Sequence, residues 1–194
     1  MARSYTMGAR ADGVADTRDR IVEAATTLFL EQTFDDVTLA AIAKASGVSH
    51  QTVLNHFGSK IGVAMAVAEV LGRATADARS AEPGDLRGAI HALVGDYEQI
   101  GDANVRWVAA SEQYEELVPL LDTARAGHQH WLREVFAAEL PRGATAATRM
   151  VLALHAATDV HTWKLLRREL HLSRAETERI MTDLVAGVLR GGTS

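Results

Sequence analysis

Apolar side chains recur three to four residues apart along most of this chain, which is the period of an amphipathic helix. No stretch alternates apolar and polar residues for long enough to predict a β-strand, and no internal repeat is visible. The pattern therefore predicts an all-α fold of about nine helices.

Two short helical patterns meet at a glycine near the N-terminus. Ile42 and Ala43 fall on one face of the first helix, and Val53 and Phe57 on one face of the second. Gly47 stands between them, where a sharp corner needs a residue that tolerates an unusual backbone geometry. We therefore predict a helix-turn-helix.

The second of these helices carries polar, uncharged groups at its outward positions, which are His50, Gln51, Thr52, Asn55 and His56. Such side chains can hydrogen-bond to base edges in the major groove of DNA. Thr38 and Ser49 precede the two helices as N-caps, and helix N-termini also suit phosphate. The pair is predicted to bind DNA.

Charge supports this prediction only at the local level, because the whole chain has a net charge of -5. No Asp or Glu occurs between Asp36 and Glu69, whereas Lys44 and Lys60 lie inside that window. Phosphate can therefore approach this face. The alternative is an ordinary alanine-rich helix pair that uses the motif for packing.

The segment from Thr17 to Val67 resembles the tetracycline-repressor (TetR) family of bacterial transcriptional regulators. The resemblance is carried by TRDRIVEAATTLFLEQTFDDVTL and AAIAKASGVSHQTVLNHFGSK, with Phe29, Phe34, Thr38, Ile42, Ala43, Gly47, Val48, Ser49, Thr52, His56, Phe57 and Lys60 at the expected offsets. Two positions depart from the family pattern. Leu54 replaces a tyrosine that commonly touches the DNA backbone, and Ile61-Gly62 replaces an acidic residue.

The resemblance implies a role for each matching position. His50 and Gln51 would contact bases, and Lys60 would contact a phosphate. The DNA backbone would be bound by Thr38, Thr52, Asn55 and His56, and Ser49 completes this DNA-binding set at the cap position. The family also implies a cytoplasmic homodimer, a roughly palindromic operator on double-stranded DNA, and release by a small-molecule effector whose identity stays open.

Proline and glycine divide the rest of the chain. We expect a flexible arm over residues 1–15, a helix-turn-helix domain over 16–62, and a sensing and dimerisation domain over 63–194. The predicted helices beyond residue 62 are Val63–Ala78, Leu86–Ile100, a helix through Val105 and Tyr114, Pro119–Leu140, Thr145–Leu170 and Ser173–Arg190.

The last two helices carry more apolar surface than one neighbour needs. In the family such helices form a four-helix bundle with a second copy, so we predict a dimer interface. Its candidate residues are Trp163, Leu166, Ile180, Leu184 and Val188. Each of them could instead belong to the core of one chain.

Aromatic and polar groups alternate through the middle helices in a way that could line a ligand pocket. The candidates are Tyr97, Trp107, Tyr114, His128, Trp131, His155 and Asp159. Aromatic residues at helical spacing are more often core residues with one hydrogen bond to satisfy.

Several other functions lack the residues that they need. The chain has no cysteine for disulfides or thiolate sites and no apolar run near the roughly 20 residues of a membrane span. His155 and Asp159 share a helix face, whereas His128 and His130 point about 200° apart. We expect no metal, no cofactor, no membrane partner and no catalytic residues, so the chain is not expected to be an enzyme. The alternative is a helical metal-binding or enzymatic bundle whose helix-turn-helix does not bind DNA.

Overall fold

The computed structural model describes the backbone of residues 4–191 and the side chains of residues 13–191, and no strand occurs in this range. The predicted all-α fold is confirmed. The described range contains nine α-helices: α1 (Ser4–Glu31), α2 (Leu39–Ser46), α3 (His50–Phe57), α4 (Lys60–Ala78), α5 (Leu86–Ser111), α6 (Val118–Val135), α7 (Ala144–Thr158), α8 (Val160–Lys164) and α9 (Arg174–Gly191). A short 3-10 helix, Glu115–Leu117, precedes α6, and a π-helical segment, Leu165–Glu169, follows α8.

The chain divides into two compact units, residues 1–71 and 72–194. The division falls between residues 71 and 72 inside α4, whereas the sequence pattern places it between residues 62 and 63, near the start of the same helix. The second unit begins at Gly72, but a single glycine inside a continuous helical pattern does not by itself indicate a domain boundary. Helix α4 therefore contributes residues to both units.

Helix α1 begins at Ser4, so most of the segment expected to be a flexible arm over 1–15 is helical. This corrects the prediction for residues 4–15, while residues 1–3 lie outside the described range. The segment contains no proline, and its isolated glycines each cost a helix only about 1 kcal/mol. Polar composition was therefore a poor guide to where the helix begins.

The first unit is built around an apolar core that its first helices share. Helix α1 packs on α2, and α2 packs on α3. Phe29 of α1 and Phe34 of the following loop stack with their ring centroids 5.8 Å apart. The buried side chains of this core are Ile21, Val22, Ala25, Phe29, Phe34, Val37, Ile42, Ala43, Val53, Val63, Ala64, Ala66 and Val67.

The predicted turn between α2 and α3 is confirmed. Gly47 has φ 68° and ψ 30°, a left-handed conformation in which a side chain would be strained. The Thr38 hydroxyl accepts the Ala41 N–H at 3.1 Å, and the Ser49 hydroxyl accepts the Thr52 N–H at 3.0 Å. Both caps therefore stand where the sequence predicts them.

Helix α5 runs without interruption through Gly101, although the sequence pattern predicts that it ends there. The prediction was wrong because this glycine serves a close approach and not a helix end. A Cβ at position 101 would overlap the indole ring of Trp163. That indole is fully buried in the core of the second unit.

The prediction of one long helix over Thr145–Leu170 is also wrong, because the helix is interrupted at Asp159. This residue has an extended backbone, with ψ 151°, and its carboxylate accepts the His161 N–H at 2.9 Å to begin α8. Asp is a strong N-cap residue, but here it lies inside a continuous apolar pattern that hides the break. Helix α6 likewise ends at Val135, short of the predicted Leu140.

A buried polar network joins the helices of the second unit. Arg79 donates to Asp96, with Nε–Oδ2 2.8 Å, and also to His128, with Nη1–Nδ1 2.9 Å. The Nε2 of His128 lies 2.8 Å from the Thr158 hydroxyl, which donates to the Leu154 carbonyl at 2.7 Å. Because Arg79 can only donate, Nδ1 must accept and Nε2 must carry the proton. His128 is therefore a neutral histidine held between a cation and a hydroxyl.

Stability should depend on pH through His128. Burial, and then the charge of Arg79, lowers its pKa from the ordinary 6.5 to about 3. Between pH 6.5 and about pH 3, His128 is therefore protonated in the unfolded chain and neutral in the folded chain. The stability that the neutral form contributes is fully present above pH 6.5 and decreases as the pH falls below that value. We expect a loss of up to about 1.4 kcal/mol per pH unit from this residue.

His128→Gln supplies the measurement, because an amide can accept from Arg79 and donate to Thr158 without titrating in this range. Urea unfolding between pH 7 and pH 4.5 should show a shallower loss of stability in this variant than in the natural chain. His130→Gln is the matched control, since His130 is exposed on the same helix. Equal pH slopes in all three proteins would contradict the assignment.

Candidate nucleic-acid interface

Helix α3 presents a polar surface above a buried anchor. Val53 is fully buried in the first unit, whereas His50, Gln51 and Asn55 are exposed. Thr52 and His56 are half-buried beside them. The structure thus brings the predicted base-contacting residues together on one accessible face.

Two amide side chains on this face are bound to each other. The Nε2 of Gln51 donates to Oδ1 of Asn55 at 2.9 Å. The residues are four apart, which places them one above the other on a helix. Asn55, for which the family implies a contact with the DNA backbone, therefore supports a neighbouring side chain in this structure.

The hydroxyl groups at the helix ends retain a capacity to bind phosphate. Thr38 is exposed and uses its oxygen as an acceptor for α2, which leaves its O–H group as a donor. The Ser49 and Thr52 hydroxyls lie 2.8 Å apart, so one donates to the other and the second keeps its O–H. Both sites lie at helix N-termini, which favour anions.

Lys60 is engaged inside the first unit. Its Nζ donates to the Phe34 carbonyl at 2.7 Å and lies 4.2 Å from the centroid of the Phe34 ring. An ammonium group has three donors, so two remain for a phosphate. The structure adds a role that the sequence does not reveal, because Lys60 fixes the loop before α2 to the start of α4.

Arg18 is a further cation beside this surface that sequence reasoning did not single out. It lies on α1, where its guanidinium sits 5.1 Å from the centroid of the Phe57 ring at the end of α3. Its side chain is exposed. Nothing in the local spacing could indicate it, because α1 and α3 meet only through the fold.

The seven candidate pocket residues do not line one cavity. His155 and Asp159 line an open depression of about 480 Å³ together with Gln129, Leu152, Ala156 and Thr162. Tyr97 and His128 instead belong to the buried polar network, and Tyr97 donates to the Thr158 carbonyl at 3.0 Å.

The three remaining pocket candidates also lie elsewhere. Trp131 donates to the Arg79 carbonyl at 2.8 Å, Trp107 is buried in the second unit, and Tyr114 is half-buried before the 3-10 helix. Tyr97, Trp107 and His128 are thus buried core or polar-network residues, which is the alternative interpretation of such groups at helical spacing. Trp131 lines a separate depression of about 440 Å³ together with Arg79 and Pro83.

The candidate dimer residues divide in the same way. Trp163 and Leu166 are buried inside the second unit, so the prediction that they lie at a dimer interface is corrected. The indole of Trp163 packs in the core because Gly101 admits it and because its Nε1 donates to Glu98 at 3.2 Å, and Leu166 packs in the same core. Leu184 is exposed, and Ile180 and Val188 are half-buried beside it on α9.

Asp159 gathers two histidines but no further ligand. Its carboxylate lies 3.5 Å from His155 Nε2 and 2.8 Å from His161 Nδ1. Although burial opposes the charge, hydrogen bonds from both histidines and from the His161 N–H lower the pKa of Asp159 below its usual range. Within residues 13–191 no group of three His, Cys, Asp or Glu side chains could hold a metal ion.

In the described part of the chain, no helix combines the length and the apolar character of a membrane span.

Comparisons with known proteins agree with this geometry. A sequence model described as "Bacterial regulatory proteins, tetR family" matches residues 21–67, which are the core of the first unit. Residues 21–67 therefore have the sequence pattern of the N-terminal domain of TetR-family regulators. The HTH-type transcriptional regulator AlkX of Mycobacterium tuberculosis is 39% identical over 51 residues, which are 26% of this chain. The matched segment spans about a quarter of that relative, 24% of its length.

Solved TetR-family structures share the fold along nearly the whole chain. A regulator from Streptomyces coelicolor matches with a TM-score of 0.74 at 16% identity, over 92% of this chain and 89% of that one. The TetR family repressor AlkX from Dietzia sp. strain DQ12-45-1b matches with a TM-score of 0.56 at 22% identity, over 90% and 95%. At these identities the likeness establishes the fold.

The internal contacts of Lys60 predict an effect on stability in this TetR-family domain. Lys60→Met keeps an unbranched side chain against Phe34 but removes the charged hydrogen bond. We expect the free energy of unfolding in urea to fall by about 1.5 kcal/mol. Lys44→Met removes an exposed lysine of α2 and should change it by less than about 0.5 kcal/mol. Equal unfolding midpoints for the two variants would contradict this role.

Proposed function

We propose that this chain is a transcriptional repressor that binds a roughly palindromic DNA operator as a homodimer and is released by a small-molecule effector. The observation that carries the proposal is the exposed face of α3, where His50, Gln51 and Asn55 stand together. No Asp or Glu occurs from residue 37 to residue 68. Phosphate and base edges can therefore approach this face without charge repulsion.

Support for a homodimer comes from the exposed apolar groups of the second unit. Helices α7 and α9 pack together, and Leu152 on α7 and Leu184 on α9 are 54% and 44% exposed. Exposed leucines on paired helices suit a four-helix bundle with a second copy. A two-fold dimer would place its two α3 helices about one turn of DNA apart, roughly 34–36 Å.

Support for effector release comes from the second unit and from α4. The depression beside His155 and Asp159 offers both apolar surface and charged groups to a small ligand. His155 also packs edge-on against His128, with ring centroids 4.8 Å apart, and so touches the buried polar network. Arg79 of that network directly follows α4, which contributes residues to both units. A ligand that rearranged the network would shift the population of α4 orientations.

Repression is proposed from the similarity of this chain to a solved repressor structure. The Dietzia relative is described by its name as a repressor, and it shares the fold of this chain at 22% identity. The chemical class of the effector does not follow from that likeness.

The DNA-binding proposal is tested by selection followed by substitution. Duplexes selected from a random pool should bind more tightly than scrambled duplexes of equal length, as measured by fluorescence anisotropy. His50→Ala should reduce this preference by about 1–3 kcal/mol, because the lost contacts are to bases.

His130→Ala is the control, since this exposed histidine lies in the second unit and should leave the preference unchanged. A natural chain that binds selected and scrambled duplexes equally would overturn the proposal. An unchanged preference in His50→Ala would remove His50 from the base-contacting set.

A further inference from the structure

The hydrogen bond between Gln51 and Asn55 changes what α3 can recognise. It joins two exposed amides on the surface proposed to face DNA, with Nε2–Oδ1 2.9 Å. The neighbouring hydroxyls of Ser49 and Thr52 bind each other at 2.8 Å and do not compete for either amide.

We propose that Gln51 and Asn55 form a preassembled unit that recognises one adenine, with Asn55 acting as the positioning residue for Gln51. This inference rests on the proposed function, because it assigns a specificity to the same DNA-binding surface. It also replaces the backbone contact that the family resemblance implies for Asn55.

The choice of adenine follows from the groups that the bond leaves unused. Gln51 spends one N–H on Asn55 and keeps its carbonyl oxygen and its second N–H. One acceptor and one donor on a single amide match the N6–H and N7 of adenine in the major groove. Guanine presents two acceptors there, so the Gln51 oxygen would face a second oxygen or nitrogen without a hydrogen between them.

The hydrogen bond gives Asn55 a positioning role, because its Oδ1 accepts from Gln51 and so orients that side chain. Its Oδ1 is occupied by Gln51, and only its NH2 group remains free. A glutamine at an exposed helix position otherwise has three rotatable side-chain bonds, and ordering them on binding reduces affinity. Asn55 holds the Gln51 side chain in one conformation in the free protein, so less conformational entropy is lost on binding.

The backbone below the pair is held firmly enough to keep the register. Val53, which lies between the two residues in the sequence, is fully buried and anchors α3. The Ser49 hydroxyl caps the first turn of this helix. Residues 51 and 55 lie one helical turn apart, so α3 holds the two amides within hydrogen-bonding distance of each other.

The test is a double-mutant cycle on the full-length protein, bound to its selected operator. Gln51→Ala, Asn55→Ala and the double variant are measured against the operator and against duplexes that replace each base pair of a half-site in turn. Both single variants should lose about tenfold or more of the preference at one and the same A·T pair. The double variant should lose little beyond either single variant, because the two residues act as one unit.

Asn55→Asp serves as the matched rescue variant. It keeps an acceptor for the Gln51 amide but adds a negative charge near the phosphates. It should retain the preference for the A·T pair while binding all duplexes more weakly. Thermal unfolding should leave all four variants near the natural chain, because both positions are exposed.

Three results would overturn the inference. In the first, Asn55→Ala weakens selected and scrambled duplexes equally, which is the behaviour of a phosphate contact. The two single variants could affect different base pairs, or the shared pair could be G·C. If the natural chain binds selected duplexes specifically in any of these cases, the proposed function survives and only the Gln51–Asn55 assignment fails. A natural chain without sequence preference would overturn both.

Discussion

The corner at Gly47 is the constraint on which the first unit depends. Its left-handed backbone lets α2 and α3 turn sharply while both bury their apolar faces, and a Cβ-bearing residue would be strained there. The caps from Thr38 and Ser49 then satisfy the N–H groups that the turn exposes at the two helix starts. The backbone at the turn and the caps therefore determines which side of α3 faces outward, independently of the contacts that its exposed side chains make.

The second unit uses a different means of holding its helices in register. Arg79, Asp96, His128 and Thr158 are nearly inaccessible to solvent, and each finds its hydrogen-bond partner on another helix or segment. Removing one member would leave a buried charge or donor unpaired, which destabilises proteins by about 3–5 kcal/mol. Arg79 of this network directly follows α4. In the proposed function, an effector changes the structure through this network.

The sequence predicts local features of this fold well and long-range ones poorly. The turn, both caps and the polar face of α3 follow from residues within a few positions of one another. The sequence pattern predicts a helix end at Gly101, because the residue that needs this glycine, Trp163, lies far along the chain. The same distance in sequence hides the bond from Lys60 to Phe34 and the cation–π contact of Arg18 with Phe57. The sequence shows that Gln51 and Asn55 are four residues apart, but it does not show that one amide donates a hydrogen bond to the other.

Methylation interference on the selected operator tests most directly whether α3 enters the major groove. Dimethyl sulfate modifies guanine N7 in the major groove and adenine N3 in the minor groove, so one experiment examines both. If α3 contacts bases in each half-site, guanine N7 methylation should block binding in two patches about 10 base pairs apart. Interference confined to adenine N3, or absent from both grooves, would contradict the account.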